Sequence, residues 1–263
     1  MTDDAFHTEL NARGVATLTL NRPELHNAFD DRLIAELTRE LHALRTDSQV
    51  RVMVLAATGK SFSAGADLNW MQRMAEYSWE QNLADAQALA ELLRTLNTLP
   101  KPTLVKVQGP AYGGGVGLVA CCDIAIAVAT ASFSLSEVKL GLIPAVISPY
   151  VVSAIGERQA RRYFLTGERF SAVEAQRIGL VHEVVAPEGL DNAVAERLEA
   201  LASSGPAAMV AAKELIHAVS RGPVDTALIE DTARRIANIR TSAEGREGLA
   251  AFLNKRRPAW YKD

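Results

Sequence analysis

The sequence predicts an α/β fold, with stacked parallel strands and intervening helices, followed by a helical C-terminal region. Three observations predict it. Strand-like and helix-like segments alternate through about residue 130, the pattern of parallel strands joined by helices. From about residue 146 that alternation gives way to helical segments. The last 60 or so residues are rich in Ala, Leu and Ile at helical spacing, with Pro206 and Pro223 placed to open helices.

The elements follow in order. "GVATLTLNRPE" alternates β-branched residues and ends at Asn21-Arg22-Pro23, which marks a strand and its turn. "DDRLIAELTRELHALRT" sets Leu33, Ile34, Leu37, Leu41 and Leu44 on one helical face, with Asp30 as N-cap. Val50 to Ala57 is a continuous apolar strand. "TGKSFSAGADLNWM" is a loop running into a helix. "EQNLADAQALAELLRTLNTL" is a long helix stopped by Pro100 and Pro102. "TLVKVQG" is a third strand, "GGGVGLVACC" a short buried helix and "DIAIAVA" a fourth strand. Ser171 and Glu174 form a capping-box pair at the start of "SAVEAQRIG", and "LVHEVVAP" contains a short strand.

Composition narrows the function classes. A chain of 263 residues, 48% hydrophobic and 22% charged, can bury a large core. The net charge of −3 and dispersed basic clusters leave no basic field, which argues against nucleic acid. No apolar run approaches the roughly 20 residues that span a bilayer. "MTDDAFHTEL" is acidic and mixed and does not read as a signal peptide. The adjacent Cys121 and Cys122 read as reduced and buried, so a cytoplasmic location is expected. The five histidines, at 7, 26, 42, 182 and 217, show no metal spacing, and no metal is expected.

Phosphate-loop patterns fail. Gly59-Lys60-Ser61 lacks the glycine five residues earlier, where Val54 stands, and Leu118 breaks the dinucleotide fingerprint of "GGGVGLV". Two glycine-containing turns remain, each leading from a strand into a helix: "FSAGADL" (62–68) and "YGGGVGL" (112–118). Helix N-termini expose unpaired N–H groups, and glycine lets a ligand approach them closely. Two such turns facing one point would form an oxyanion hole; each is equally compatible with a plain tight turn.

"NRPELHNAF", "FSAGADLNWM", "VQGPAYGGGVGLVACCDIAIA" and "FSLSEVKLGLIP" resemble, in order and spacing, the crotonase (enoyl-CoA hydratase/isomerase) superfamily. The resemblance covers nearly the whole chain. It implies a crotonase-like spiral of ββα repeats over residues 1–200, carrying the CoA and catalytic site. It also implies a C-terminal helical trimerisation region over 201–263 and assembly as a trimer or dimer of trimers. The implied partner is an acyl-CoA substrate, with coenzyme A entering as part of the substrate and no separate cofactor. By motif, the N–H groups of Ala66 and Gly114 hold the thioester oxygen and Glu137 handles the proton. Arg22, Leu25, Ala64, Ala66, Asp67, Leu68 and Gly114 are the implied CoA and substrate contacts. On this reading Gly114 is glycine so that no Cβ separates its backbone from the thioester.

Position 117 departs from the two-glutamate hydratases, which carry a carboxylate after the glycine turn where this chain has Gly117. Glu137 alone can shuttle a proton, which suits an isomerase as well as a hydratase. Within the superfamily the chain looks most like bacterial methylglutaconyl-CoA hydratases of leucine breakdown, with isohexenylglutaconyl-CoA hydratases closely similar. The expected activity is hydration of a branched, carboxylated 2-enoyl-CoA. A general enoyl-CoA hydratase, a 2,3-enoyl-CoA isomerase and a silent acyl-CoA-binding hexamer are the alternatives. Gly117 then either leaves room for a polar group of the substrate or packs closely against a neighbouring element. Asn69 and Arg73 are candidate partners for a substrate carboxylate, or ordinary surface residues. Trp70 and Met71 are pocket wall or core.

Overall fold

The structure, a computed structural model, describes residues 5–220 and 222–261. Ten helices and nine strands are found among them. Strand β1 (Phe6–Leu10) pairs antiparallel with β2 (Val15–Leu20). Parallel pairing then runs through β3 (Val52–Ala57), β4 (Thr103–Val107), β6 (Ile124–Val128) and β9 (Glu183–Val185), in the order β1-β2-β3-β4-β6-β9. A second, smaller sheet joins β5 (Ala111–Tyr112), β7 (Ser132–Ser134) and β8 (Phe170–Ser171). Isolated parallel bridges link Phe29 to Ala66 and Ser63 to Ala111. Successive turns of the chain therefore touch twice, once in each stack, which is the spiral.

Helix α1 (Asp31–Thr46) forms where the spacing predicts it. Asp30 accepts a hydrogen bond from the Leu33 N–H, and all five predicted apolar residues are buried. Burying five such side chains stabilises the packing by about 1.5–3 kcal/mol each. The chain continues through α2 (Leu68–Met74), α3 (Trp79–Asn97) and α4 (Gly114–Cys121). Helix α5 (Ser148–Thr166) is broken at Gly156, whose φ of 74° takes the backbone out of helical geometry. Helices α6 (Ala172–Ile178) and α7 (Leu190–Ala202) follow, with α7 packed on β4 and β6.

The last three helices, α8 (Pro206–Val219), α9 (Thr226–Thr241) and α10 (Ala243–Leu253), pack on one another. They are tied to the core by the Lys213–Asp123 ion pair at 2.7 Å, and by Arg51, which donates to the Ala202 and Trp260 carbonyls. Their apolar stripes stay open in the single chain: Ile229, Ile236, Leu249, Phe252 and Leu253 are all exposed.

Some local expectations change. Pro206 does open α8, but α9 begins at Thr226 with Asp225 as its N-cap, and Pro223 lies outside it. Only half of the capping box at Ser171 forms. Its Oγ accepts from the Glu174 N–H, while the Glu174 carboxylate turns to the Tyr163 hydroxyl and the Arg177 guanidinium. A charged partner and a hydroxyl outcompete one backbone N–H. Strands β1, β5, β7 and β8 have no counterpart in the sequence reading. Both cysteines are buried thiols, and desolvation pushes Cys122 up to about 12.

Candidate active site

Two turns lie side by side because their backbones are laced together. The Phe62 and Ser63 N–H groups both donate to the Pro110 carbonyl, at 2.9 and 3.2 Å. The Tyr112 N–H donates to the Ser63 carbonyl at 2.9 Å, and the Gly113 N–H to Ser134 at 2.9 Å. The first turn is held from beneath by Asn27, a buried residue in the left-handed region. Its Nδ2 donates to the Thr58 and Ser61 carbonyls, both at 2.9 Å, and its Oδ1 accepts from the Arg22 N–H. The Ser63 hydroxyl donates to the Asn27 carbonyl and accepts from the Gly65 N–H. A Cβ placed on Gly65 would come within 3.9 Å of the Gly113 Cα, so the turns are in van der Waals contact at the residues preceding Ala66 and Gly114.

Four N–H groups of the two turns have no hydrogen-bond partner among the described residues: those of Ala66 and Leu68 in the first and of Gly114 and Gly115 in the second. Other N–H groups around them are satisfied. Gly65 donates to Ser63, Asp67 to the Phe29 carbonyl and Gly113 to Ser134. An unpaired N–H in a dense network is a costly arrangement that a ligand oxygen relieves. The two residues singled out by motif are among those with free donors.

Glu137 stands on a single 3-10 turn (Ser136–Leu140) after β7. Its Oε1 lies 3.2 Å from where a Cβ on Gly113 would sit. Its Oε2 is buried with no hydrogen-bond partner among the described residues. Burial pushes this carboxyl's pKa above the usual carboxylate range, against a smaller pull from its own backbone N–H. A desolvated carboxyl with an unpartnered oxygen, beside two unpaired N–H groups, can move a proton on a substrate whose oxygen those donors hold.

The other expected residues separate. Ala64 and Leu68 are exposed beside the first turn. The Asp67 carboxylate caps α2, its Oδ1 accepting from the Asn69 and Trp70 N–H groups. Arg22 and Leu25 line a cleft of ≈ 880 Å³ between β1 and the start of α1, which Ala66, Gly114 and Glu137 do not line. There the Arg22 guanidinium pairs with Asp30 at 2.7 Å. Arg73 pairs with Asp31 at 2.6 Å on the surface, and Asn69 is exposed. Trp70 is core, donating its Nε1–H to Asp85. Among the described residues no cluster of His, Cys, Asp and Glu could hold a metal ion. None of the described helices is long and apolar enough to cross a membrane.

The glycines have reasons the sequence did not show. A Cβ on Gly114 would lie 2.8 Å from the ring of buried Phe29, so glycine there makes room for the Phe29 ring. A Cβ on Gly117 would overlap the Ile147 Cγ2 and come within 3.0 Å of the Ile147 Cβ, with Leu93 at 3.6 Å. Ile147 and Leu93 are themselves buried. The space beside Gly117 is filled by apolar side chains, and the idea that it awaits a polar group of the substrate is overturned. Ile147 and Phe29 are the residues that sequence reading missed. Phe29 was visible only as the last letter of "NRPELHNAF".

The chain is similar to known proteins over nearly its whole length. A family model described as enoyl-CoA hydratase/isomerase matches residues 11–263. A solved structure of an enoyl-CoA hydratase from Shewanella pealeana superposes with a TM-score of 0.95 and 48% identity, covering 98% of this chain and 97% of that one. The 2,3-dehydroadipyl-CoA hydratase of Escherichia coli K12 is 34% identical over 93% of this chain and 94% of its own. The 1,2-epoxyphenylacetyl-CoA isomerase of the same strain is 34% identical over 94% of each chain.

Proposed function

The chain belongs to the enoyl-CoA hydratase/isomerase family, and we propose that it hydrates a branched, carboxylated 2-enoyl-CoA such as 3-methylglutaconyl-CoA, with Glu137 as its single acid/base. One observation carries the hydratase reading: the buried, unpartnered Glu137 carboxyl beside the free N–H groups of Ala66 and Gly114. The carboxylated tail rests on the motif resemblance, and a 2,3-dehydroadipyl-CoA hydratase among the relatives is consistent with it.

In this mechanism the thioester oxygen accepts from the Ala66 and Gly114 N–H groups. Ionised Glu137 takes one proton from water as the water oxygen bonds to C3. The C2–C3 π electrons move onto the thioester, and the enolate oxygen is held by both donors. Glu137 then returns that proton to C2, so the elements of water are added and the carboxylate is regenerated. Donors aimed at charge that develops only in the transition state raise kcat more than they tighten ground-state binding.

A second reading follows from the absence of a carboxylate at Gly117. Glu137 could instead carry a proton between C2 and C4, moving the double bond without adding water. Product analysis separates the two. On 3-methylglutaconyl-CoA and crotonyl-CoA the hydratase reading expects 3-hydroxyacyl-CoA with uptake of labelled water oxygen, and no direct reaction on a 3-enoyl-CoA, which has no C2–C3 double bond to hydrate. Isomerised enoyl-CoA without label would favour the second. Turnover of crotonyl-CoA at least equal to 3-methylglutaconyl-CoA would refute the carboxylated tail. The open apolar stripe of α9 and α10 supports self-association as a trimer or dimer of trimers.

A further inference from the structure

We infer that Phe29 is a positioning residue for the reaction, setting the spacing between the two N–H donors; this rests on the reading of Ala66 and Gly114 as those donors. Phe29 is the residue that touches both turns at the donors themselves. Its backbone N–H donates to the Gly65 carbonyl at 2.7 Å, and its carbonyl accepts from the Asp67 N–H at 2.7 Å. These two bonds grip the chain on either side of Ala66, which is bridged to Phe29 in parallel register. The ring reaches the other turn. Its Cε2 and Cδ2 lie 2.8 and 3.0 Å from where a Gly114 Cβ would sit, so the ring edge abuts the Gly114 backbone.

The ring is 1% exposed and cannot swing away. A rigid aromatic wedge thus fixes one donor through backbone hydrogen bonds and the other through contact. An oxyanion hole works only when both donors meet the developing charge at hydrogen-bond distance. A displacement of about 1 Å at such a site costs on the order of 100-fold in rate. Shrinking the ring keeps the backbone grip on Ala66 but releases Gly114. Adding a methyl group to Gly114 pushes the same contact from the other side. The two changes therefore compensate if the contact sets the spacing.

The test is a double-mutant cycle on the full chain with crotonyl-CoA: Phe29→Leu, Gly114→Ala and both together, reading kcat, KM and melting temperature. Each single variant is expected to lose roughly 10- to 100-fold in kcat, with KM changed by less than about threefold because the donors act mainly in the transition state. The double variant should recover at least about tenfold over the product of the single losses. Phe29→Met is the second variant should Phe29→Leu fail to fold. If Gly114→Ala is impaired while Phe29→Leu keeps wild-type kcat, or if the double shows no recovery, Phe29 is only core and the inference falls while the donor assignment stands. If neither single variant changes kcat, the contact does not set the donor spacing and the inference falls, while the donor assignment stands.

Discussion

Replacing Gly117 by glutamate restores, on paper, the second carboxylate of a two-glutamate hydratase. The structure predicts damage instead. The first added atom already overlaps Ile147, and the surroundings are Ile147 and Leu93, both buried. Forcing extra atoms into a packed core costs about 1–3 kcal/mol. Burying a polar group without a partner costs about 1–3 kcal/mol more, the carboxyl taking up a proton to avoid the larger penalty of a buried charge. Relief of the helix penalty of glycine returns up to about 1 kcal/mol. The net loss is about 1–5 kcal/mol, which at about 2 °C per kcal/mol for a chain of this size lowers the melting temperature by about 2–10 °C. Activity on 3-methylglutaconyl-CoA and crotonyl-CoA should fall in parallel. Adding Ile147→Ala removes the overlapping methyl and should recover part of the loss. The assay is thermal melting and steady-state turnover of wild type, Gly117→Glu and Gly117→Glu/Ile147→Ala on both substrates. A Gly117→Glu protein that melts like wild type and loses only the carboxylated substrate would refute the packing argument.

Four other outcomes are expected. Glu137→Gln should lower kcat by on the order of 10²–10⁴, and near wild-type turnover would remove Glu137 from the mechanism. The same variant should also be more stable at neutral pH. A carboxyl whose folded pKa is raised stabilises the fold fully only below its unfolded pKa, and that contribution is lost as pH rises through the folded value. The melting advantage of Glu137→Gln should therefore shrink as pH falls below the ordinary carboxylate range, and an advantage independent of pH would contradict the burial argument. Asn27→Ala leaves the Thr58 and Ser61 carbonyls and the Arg22 N–H without their buried partner; it should cost about 2–4 kcal/mol by urea unfolding, and a loss below 0.5 kcal/mol, a small figure on the same scale, would show that water replaces it. Phe252→Glu with Leu253→Glu should give smaller species by sedimentation while the monomer fold persists in circular dichroism, because these side chains are 81% and 76% exposed in the single chain; unchanged assembly would place the subunit contacts elsewhere.

What the sequence determined by itself was local or carried by motif. The stripe from Leu33 to Leu44 and the Asp30 cap are set by residues within a few positions of one another, so periodicity and capping chemistry suffice. Strands β2, β3, β4, β6 and β9 of the larger sheet were legible as alternating or continuous runs of sheet-forming residues. Ala66, Gly114 and Glu137 were singled out because their motifs stand in family order. Strands β5, β7 and β8 were not legible: each is two or three residues long, too short for a pattern, and exists only because successive turns of the spiral touch. The same holds for the glycines. A glycine in a sequence shows that a side chain is missing but not what stands in its place. Tertiary packing put the Phe29 ring against Gly114, 85 positions away in number, and Ile147 against Gly117. Hence Gly117, for which room for a polar group and close packing were both open in the sequence, is packed against hydrocarbon. Contacts between distant turns depend on the three-dimensional path of the backbone, and no local feature of either segment encodes them.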